Sequence, residues 1–521
     1  MSGELPVSTK FPIPLSQRGK LWFSLTALFG FAVLIHAFTL MKFPPVYIDE
    51  GWNGARAWSF IHTGKPFSSY DAGVVENFKG YWTYFPWLFA LIQAFVSRPF
   101  QTPTLLPLRV LSLVAGLALL GFIFVIGNRI RGRNYGLAAS FLVAISWPFF
   151  ASAHLARPDI FAASFGYLAV ALTLAKKPLR LWESLASGLC VGIGFEMHPN
   201  GAIFGPVIVT LYLFDYGWRF IKNRQFWVFI AGVSLALLGY AAVHIFPYPQ
   251  TYFDLYLKYN NIVFLADHTP PLMAFRLDKI LQSIQTLFAA FYNFQPTGLV
   301  ISIWAFYALA RGQTLAQKRL AILCLSILAC SVLLFKPANF YYAIIYSPIV
   351  DMAVAWIILD FIKINPDRKI QNIMRISLTG ILLLAMAGFV YTHIQTPVTN
   401  HQVENQIQAV LKPGDTIMSI QTYWFGLYDH IGYSWEGLVY YRRYYPGSTL
   451  AEAMIAFHPD IFIIDGNMEK YLIDKPASLI QTDEAYLSRS ELMSFLTEHA
   501  VKIAEFNDVY YGQHRVYRIQ W

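Results

Sequence analysis

The sequence predicts an α-helical polytopic membrane protein that carries a small α/β domain at its C-terminal end. Of its 521 residues, 56% are hydrophobic and only 13% are charged, about half the charged share of soluble domains. Apolar runs long enough to cross a bilayer recur between residues 21 and 393. Beyond residue 393 the composition changes, because 15 Asp and Glu there outnumber 9 Lys and Arg, whereas the whole chain has a net charge of +9.

About eleven membrane spans are predicted before the compositional change. Their approximate bounds are 21–41, 108–128, 134–154, 159–175, 182–197, 199–214, 226–246, 295–310, 319–335, 340–361 and 374–393. A basic N-terminus precedes the first span and no small-residue cleavage site follows it, so we expect a retained helix rather than a signal peptide. The three cysteines all lie in apolar runs, which predicts neither a disulfide framework nor a thiolate metal site.

The positive charges predict the orientation of these spans. Six connecting segments hold 19 Lys and Arg if the run 81–96 does not cross the membrane. Such an excess is typical of cytoplasmic loops, and it accounts for the net charge without a nucleic-acid partner. The run 81–96 would measure about 24 Å as a helix, shorter than the roughly 30 Å apolar layer. We therefore predict an interfacial helix there and an extracytoplasmic first loop at residues 42–80. The protein itself is expected in the plasma (inner) membrane.

Asp49 and Glu50 are the candidate catalytic residues. They follow the first span, in the loop that the charge distribution places outside the cytoplasm. A carboxylate at the membrane face can take a proton from an incoming nucleophile. The alternatives are a hydrated acidic pair or a cap for a following helix, and a role in a divalent metal site also stays open. The sequence shows no metal-ligand spacing such as His-x-x-x-His or Cys-x-x-Cys.

Polar residues at later span ends are predicted to reach the same face. Arg157 and Asp159 are candidates for substrate binding. Arg157 could hold an anion such as a lipid phosphate, or it could snorkel while Pro158 and Asp159 begin the next helix. His198, in a Met-His-Pro-Asn-Gly turn, is either a substrate contact or structural. Four further candidates come from the aromatic stretches. Lys79 and Lys336 are substrate-binding cations or headgroup anchors, and Tyr341 and Tyr342 are substrate contacts or members of an aromatic belt.

The C-terminal segment 394–521 is predicted to be a separate extracytoplasmic α/β domain that follows a membrane domain at 1–393. Short β-branched runs at 415–420, 460–465 and 514–520 predict strands. Helical stretches are expected near 401–411, 448–457 and 489–500. About 125 residues can bury a core of their own.

At these motifs the chain resembles the GT-C glycosyltransferases, in particular the bacterial branch related to protein O-mannosyltransferases, dolichyl-phosphate-mannose mannosyltransferases and lipid A aminoarabinose transferases. The similarity extends over roughly residues 20–360. The residues that carry it are Asp49 and Glu50, the aromatic stretch 79–87, Arg109, the turn 132–136, the Ala-Arg-Pro-Asp motif at 156–159 and the segment 336–342.

The resemblance implies transfer of a sugar from a polyprenyl-phosphate carrier to an extracytoplasmic acceptor, a lipid, glycan or protein. It implies an inverting attack with Asp49 as base and Glu50 as its neighbour. The carrier phosphate is then expected on Lys79, Arg157 and Lys336. Relatives often have Lys-Pro-Pro where this chain has Lys79-Gly80-Tyr81, which weakens the assignment of Lys79.

Two other classes of function stay open from the sequence. A transporter or lipid flippase could use intramembrane ionisable residues as an ion path. No repeat relates two halves of the chain, however, and the ionisable residues concentrate at one face. A membrane receptor whose C-terminal domain binds a ligand is the third option.

Overall fold

The computed structural model describes residues 29–71, 87–174, 179–250, 252–253, 281, 297–312, 314–334, 342–364, 367–394, 399–470 and 487–521. Up to residue 394 the described chain is helical. Its helices are α1 Phe29–Thr39, α2 Ile48–Thr63, α3 Leu88–Ser97, α4 Leu105–Arg131, α5 Arg133–Ala144, α6 Trp147–His154, α7 Asp159–Thr173, α8 Leu181–Met197, α9 Phe204–Tyr216, α10 Arg224–His244, α11 Thr297–Arg311, α12 Leu315–Leu334, α13 Ala343–Ile364 and α14 Arg368–Ile394.

The helical part is that of a multi-pass membrane protein, as predicted. Within the described residues, four helical stretches are long and apolar enough to cross a bilayer: Leu105–Arg131, Pro199–Lys222, Arg224–His244 and Ala343–Ile362. The pair α5 and α6, bent by 66° between them, could form a fifth. The total of about eleven spans stays a prediction.

Helix α3 occupies most of the run that was predicted to lie in the interface. It has 10 residues and is therefore about 15 Å long, too short to cross an apolar layer of about 30 Å by itself. Residues 81–86 of that run lie outside the described residues.

A helix at this point entered the sequence analysis only through the alternative that the acidic pair caps a following helix, and α2 is that helix. It begins at Ile48, so that Asp49 and Glu50 stand in its first turn, where negative side chains complement the helix dipole. It ends at Gly64, which adopts a left-handed conformation with φ 71° and so stops the helix without steric strain. The helix-cap alternative for the acidic pair therefore describes its local geometry.

The C-terminal part is a small sheet domain, as predicted. Its five strands, in the order β2-β1-β3-β5-β4, are β1 Ile417–Ser419, β2 Gly432–Ser434, β3 Ile461–Ile464, β4 Ala500–Asp508 and β5 Gly512–Ile519. The longer helices of this part are α15 Asn400–Gln408, α16 Glu436–Tyr444, α17 Leu450–Phe457 and α18 Arg489–His499. Strands β1, β2 and β3 pair in parallel, and β5 pairs antiparallel with β3 and β4. The three predicted strands and three predicted helices are present; β2, β4 and α16 were missed.

Three of the hydrophobic clusters in the described residues show how the two parts are built and joined. The largest lies among the helices before residue 394, and a second fills the C-terminal sheet domain. A third joins the two parts, since Val46 and Ala55 of the first loop region pack with Trp424 and Phe425 of the sheet domain. The domain boundary near residue 394 stays a prediction.

Candidate functional site

The carboxylate of Asp49 is held by an arginine from a distant part of the chain. Arg157 Nη1 forms an ion pair with Asp49 Oδ2. The Arg157 side chain is 4% exposed, whereas that of Asp49 is 31% exposed. The guanidinium carbon also lies 5.5 Å from the ring centroid of Tyr47, in a cation–π arrangement. The arginine is therefore a fixed support, and the carboxylate that it holds is accessible.

Arg157 also binds a second carboxylate. Its Nε donates to Asp159 Oδ2 over 2.8 Å. Asp159 is the first residue of α7 and follows Pro158, so the predicted helix start is observed. The other oxygen, Asp159 Oδ1, is buried and accepts no hydrogen bond from the described part of the chain.

His198 extends this group of charges. Its backbone is extended, as expected before a proline, and it separates α8 from the helical stretch that starts at Pro199. Nδ1 accepts a hydrogen bond from the amide of Asn200 at 3.2 Å, which places the proton of the neutral ring on Nε2. Nε2 lies 4.0 Å from Asp159 Oδ1. The ring packs against Tyr342, with centroids 5.3 Å apart, and burial lowers the pKa of His198.

Glu50 has a different environment from its neighbour Asp49. Its side chain is fully buried, and its two oxygens accept hydrogen bonds of 2.9 and 2.8 Å from Arg109. Two backbone amides, those of Tyr47 and Ala156, complete its partners at 3.0 and 2.8 Å. Arg109 donates further to the carbonyl of Leu40 at 2.9 Å. Glu50 thus connects the start of α2 to the end of α1, to α4 and to the segment before α7.

Of the nine residues that the sequence singled out, six are described. Asp49, Arg157, Asp159, His198 and Tyr342 form one connected group, and Glu50 lies beside it in its own ion pair. Lys79, Lys336 and Tyr341 lie outside the described residues. Within the described part of the chain, no group of three or more His, Cys, Asp or Glu could hold a metal ion. A divalent metal stays a prediction.

The contacts of two further charged residues, Arg109 and Glu196, were missed by sequence reasoning, which placed Glu196 only among the ionisable residues of the outer face. Arg109 entered only as a point of resemblance, although it is the partner of Glu50. Glu196 accepts hydrogen bonds from His244 at 2.9 Å and from the amides of Trp87 and Leu88 at 3.3 and 3.4 Å. It thereby ties α8 to α10 and to the start of α3. The sequence signal for both was a charged residue at a span end, which is usually a headgroup anchor.

The arrangement provides an accessible carboxylate for proton transfer. Asp49, Asp159 and Arg157 carry one net negative charge when His198 is neutral. Because Arg157 and its second partner Asp159 are buried, the position of Asp49 is fixed before a substrate arrives. The unpaired oxygen of Asp159 can accept a hydrogen bond from a hydroxyl group.

Comparisons with known proteins agree with this architecture. Residues 85–246 match the model of the dolichyl-phosphate-mannose-protein mannosyltransferase family, which is less than half of the chain. A comparison with curated protein sequences finds no match.

Solved structures that resemble the chain include those of ArnT and AglB. ArnT from Cupriavidus metallidurans bound to undecaprenyl phosphate is 11% identical, with a TM-score of 0.56 over 95% of this chain and 97% of that protein. Its apo state is 13% identical, with a TM-score of 0.54 over 96% and 98%. The oligosaccharyltransferase AglB from Archaeoglobus fulgidus, in complex with an inhibitory peptide and a dolichol-phosphate, is 11% identical, with a TM-score of 0.54 over 86% and 70%. Since these are GT-C glycosyltransferases, the chain has the GT-C fold, and the fold class predicted from the sequence is confirmed.

Proposed function

From the GT-C glycosyltransferase fold of this chain, we infer that it transfers a sugar from a polyprenyl-phosphate carrier to an acceptor outside the cytoplasm. The observation that carries this proposal is the state of Asp49: an accessible carboxylate fixed by the buried Arg157, beside Asp159 and His198. The match to a mannosyltransferase family over residues 85–246, and the carriers bound to ArnT and AglB, support a lipid-linked donor.

In the proposed reaction Asp49 is the base. The acceptor oxygen attacks the anomeric carbon of the donor sugar, its proton passes to Asp49, and the bond from that carbon to the phosphate oxygen breaks. The polyprenyl phosphate leaves with the bonding electron pair, and attack from the face opposite the leaving group inverts the anomeric centre. The leaving phosphate needs cations around it rather than a strong acid.

We assign the surrounding residues to binding. Asp159 Oδ1 would accept a hydrogen bond from a sugar hydroxyl, and His198 Nε2 and Tyr342 would line the same position. Arg157 already faces two carboxylates, so a carrier phosphate would have to share it with Asp49. Lys79 and Lys336 are therefore the more suitable phosphate ligands, and Tyr341 follows Lys336 by five residues.

Glu50 is proposed as a positioning residue rather than as a second base. Both of its oxygens are occupied by Arg109 and by backbone amides. A carboxylate in this state has no free lone pair directed at solvent, and its loss would displace the start of α2, which carries Asp49.

The test is transfer from radiolabelled polyprenyl-phosphate sugars by the purified full-length protein. We expect Asp49→Asn to lower the transfer rate by about 10²- to 10⁴-fold, the usual contribution of general base catalysis. Asp429→Asn, at a side chain that is 56% exposed in the sheet domain, is the matched control and should transfer normally. Full activity of Asp49→Asn would remove Asp49 from the mechanism. Failure of the wild type with every lipid-linked sugar would overturn the transferase proposal.

A further inference from the structure

The helix that carries Asp49 packs directly on the C-terminal sheet domain. A Cβ atom at Gly51 would overlap the backbone carbonyl of Gln421, and one at Gly54 would lie 2.9 Å from Trp424 Cζ3. Helix α2 therefore approaches the sheet domain as closely as a backbone can, and the two glycines on one face make this possible. Nearby, Ser69 Oγ donates to the carbonyl of Gly432 at 2.6 Å.

A tyrosine of the sheet domain fixes the chain just before Asp49. Tyr511, in the turn between β4 and β5, donates from its hydroxyl to the carbonyl of Val46 at 3.2 Å. Its own carbonyl accepts from the amide of Gly466 at 3.0 Å. Tyr511 is thereby tied to the end of β3, where Asp465 precedes Gly466.

Asp465 belongs to a buried chain of three polar side chains. The Tyr423 hydroxyl lies 2.6 Å from Asp465 Oδ2 and 2.8 Å from His514 Nε2. His514 Nδ1 lies 2.9 Å from the carbonyl of Gly512, so Nδ1 must carry a proton and a neutral His514 presents a lone pair at Nε2. Tyr423 also packs on Tyr511, with ring centroids 5.9 Å apart.

A count of protons shows that Asp465, Tyr423 and His514 together need one more proton than they carry when Asp465 is ionised and His514 is neutral. One hydroxyl proton cannot serve both contacts of Tyr423. If Asp465 is protonated, it donates to Tyr423, which then donates to His514, and every contact is a hydrogen bond. If Asp465 is ionised, Tyr423 turns toward it, and two lone pairs face each other across 2.8 Å unless His514 takes up a proton.

We propose that the C-terminal sheet domain is a positioning element for Asp49, and that a proton shared among Asp465, Tyr423 and His514 keeps Tyr511 against the carbonyl of Val46. A test of this proposal by enzyme activity rests on the proposed function of Asp49, whereas a test by the protection of the backbone does not. The other titratable groups near the three residues are Glu469, Asp508 and Tyr511.

The direction of the pH effect follows from burial. Burial raises the pKa of Asp465 to about 6 and lowers that of His514. The protonated acid beside a neutral imidazole is thus the favoured state below about pH 6. Because the folded-state pKa of Asp465 lies above its unfolded value, the contribution is present at low pH and is lost as the pH rises through about 6.

Hydrogen–deuterium exchange of the purified full chain tests the structural part. We expect the backbone segment 46–52 to lose protection between pH 5.5 and pH 7.5, after correction for the intrinsic exchange rate. Asp465→Asn should abolish this change, because its amide oxygen can accept from Met468 while its NH2 donates to Tyr423, as the protonated acid does. Gly51→Ala should lower protection at both pH values, whereas Gly121→Ala, with open space around its Cβ position, should not.

Sugar transfer tests the catalytic part. The wild-type kcat should fall above about pH 6 with little change in the donor KM, and Asp465→Asn should flatten that alkaline limb. Equal protection of segment 46–52 at both pH values in the wild type and in Asp465→Asn would overturn the inference, as would a loss of protection that Asp465→Asn retains. A protection change without any transfer would instead confirm the positioning and remove the proposed function.

Discussion

Glu50 and Arg109 form a two-point ion pair that is closed to solvent, with both carboxylate oxygens within 2.9 Å of guanidinium nitrogens. The pair links the first turn of α2 to the first turns of α4, roughly sixty residues later in the chain. Arg109 also donates to the carbonyl of Leu40, the residue that follows α1. The carboxylate that stands next to the proposed base is thus a structural anchor.

Glu50→Gln should lower the free energy of unfolding by about 3 to 5 kcal/mol, because it leaves the buried charge of Arg109 without a partner. The apparent melting temperature in detergent measures this. A double variant, Glu50→Gln with Arg109→Met, should lose less than the sum of the two single variants, since no buried charge remains. If Glu50→Gln keeps normal stability but abolishes sugar transfer, Glu50 belongs with the reacting groups.

The different environments of Asp49 and Glu50 could not be derived from their adjacency. Helix α2 contains two glycines and several aromatic residues, which have modest or poor helix propensity, so the sequence predicts a loop. The helix forms because Gly51 and Gly54 allow it to pack on the sheet domain. Propensity was overridden by packing between segments that are far apart in sequence.

Part of the site could be predicted from the sequence, because the distribution of Lys and Arg indicates on which side of the membrane each span end lies. Arg157 and Asp159 were both singled out in one short motif, although their ion pair was not predicted. The pairing of Asp49 with Arg157 joins positions roughly a hundred residues apart, and no periodicity or spacing encodes such a contact. Composition likewise predicted the sheet domain. Strand β2 is short and β4 lies near the end of the sequence, and neither was predicted from its sequence pattern.

Arg157→Lys should lower sugar transfer by about 10- to 100-fold while the protein stays folded. The guanidinium uses Nη1 for Asp49 and Nε for Asp159, and the single ammonium of lysine cannot match this two-point geometry. A displacement of about 1 Å at a reacting group can cost about 10²-fold in rate. Arg98→Lys, at an exposed position, is the control. Unchanged kcat in Arg157→Lys would show that Asp49 does not need this support.

His198→Gln should make the protein less sensitive to acid. Burial lowers the pKa of His198, although Asp159 opposes the shift. The folded-state pKa therefore lies below the unfolded value of about 6.5, so protonation of the unfolded chain lowers stability as the pH falls below about 6.5. The melting temperatures of variant and wild type, compared between pH 7.5 and pH 5, should converge or cross on the acid side. A constant difference over this range would contradict the prediction.

The orientation that places Asp49 outside the cytoplasm can be tested by labelling single cysteines in whole cells. Cys190, Cys324 and Cys330 would first be replaced by alanine. The first two are buried in the described structure, so their replacement leaves the exposed surface almost unchanged. Val509→Cys reports on the sheet domain, at a side chain that is 84% exposed. Trp218→Cys, 80% exposed, reports on the segment after α9, where Arg219, Lys222 and Arg224 predict a cytoplasmic location.

A membrane-impermeant maleimide should modify Val509→Cys in intact cells and Trp218→Cys only after permeabilisation. The physical reason is that basic segments are retained in the cytoplasm during insertion, while the acidic sheet domain shares the face of Asp49 through Tyr511 and Val46. Labelling of both cysteines in intact cells, or of Trp218→Cys alone, would contradict the predicted orientation. Labelling of Trp218→Cys alone would place the Asp49 carboxylate on the cytoplasmic side, where an extracytoplasmic acceptor could not reach it.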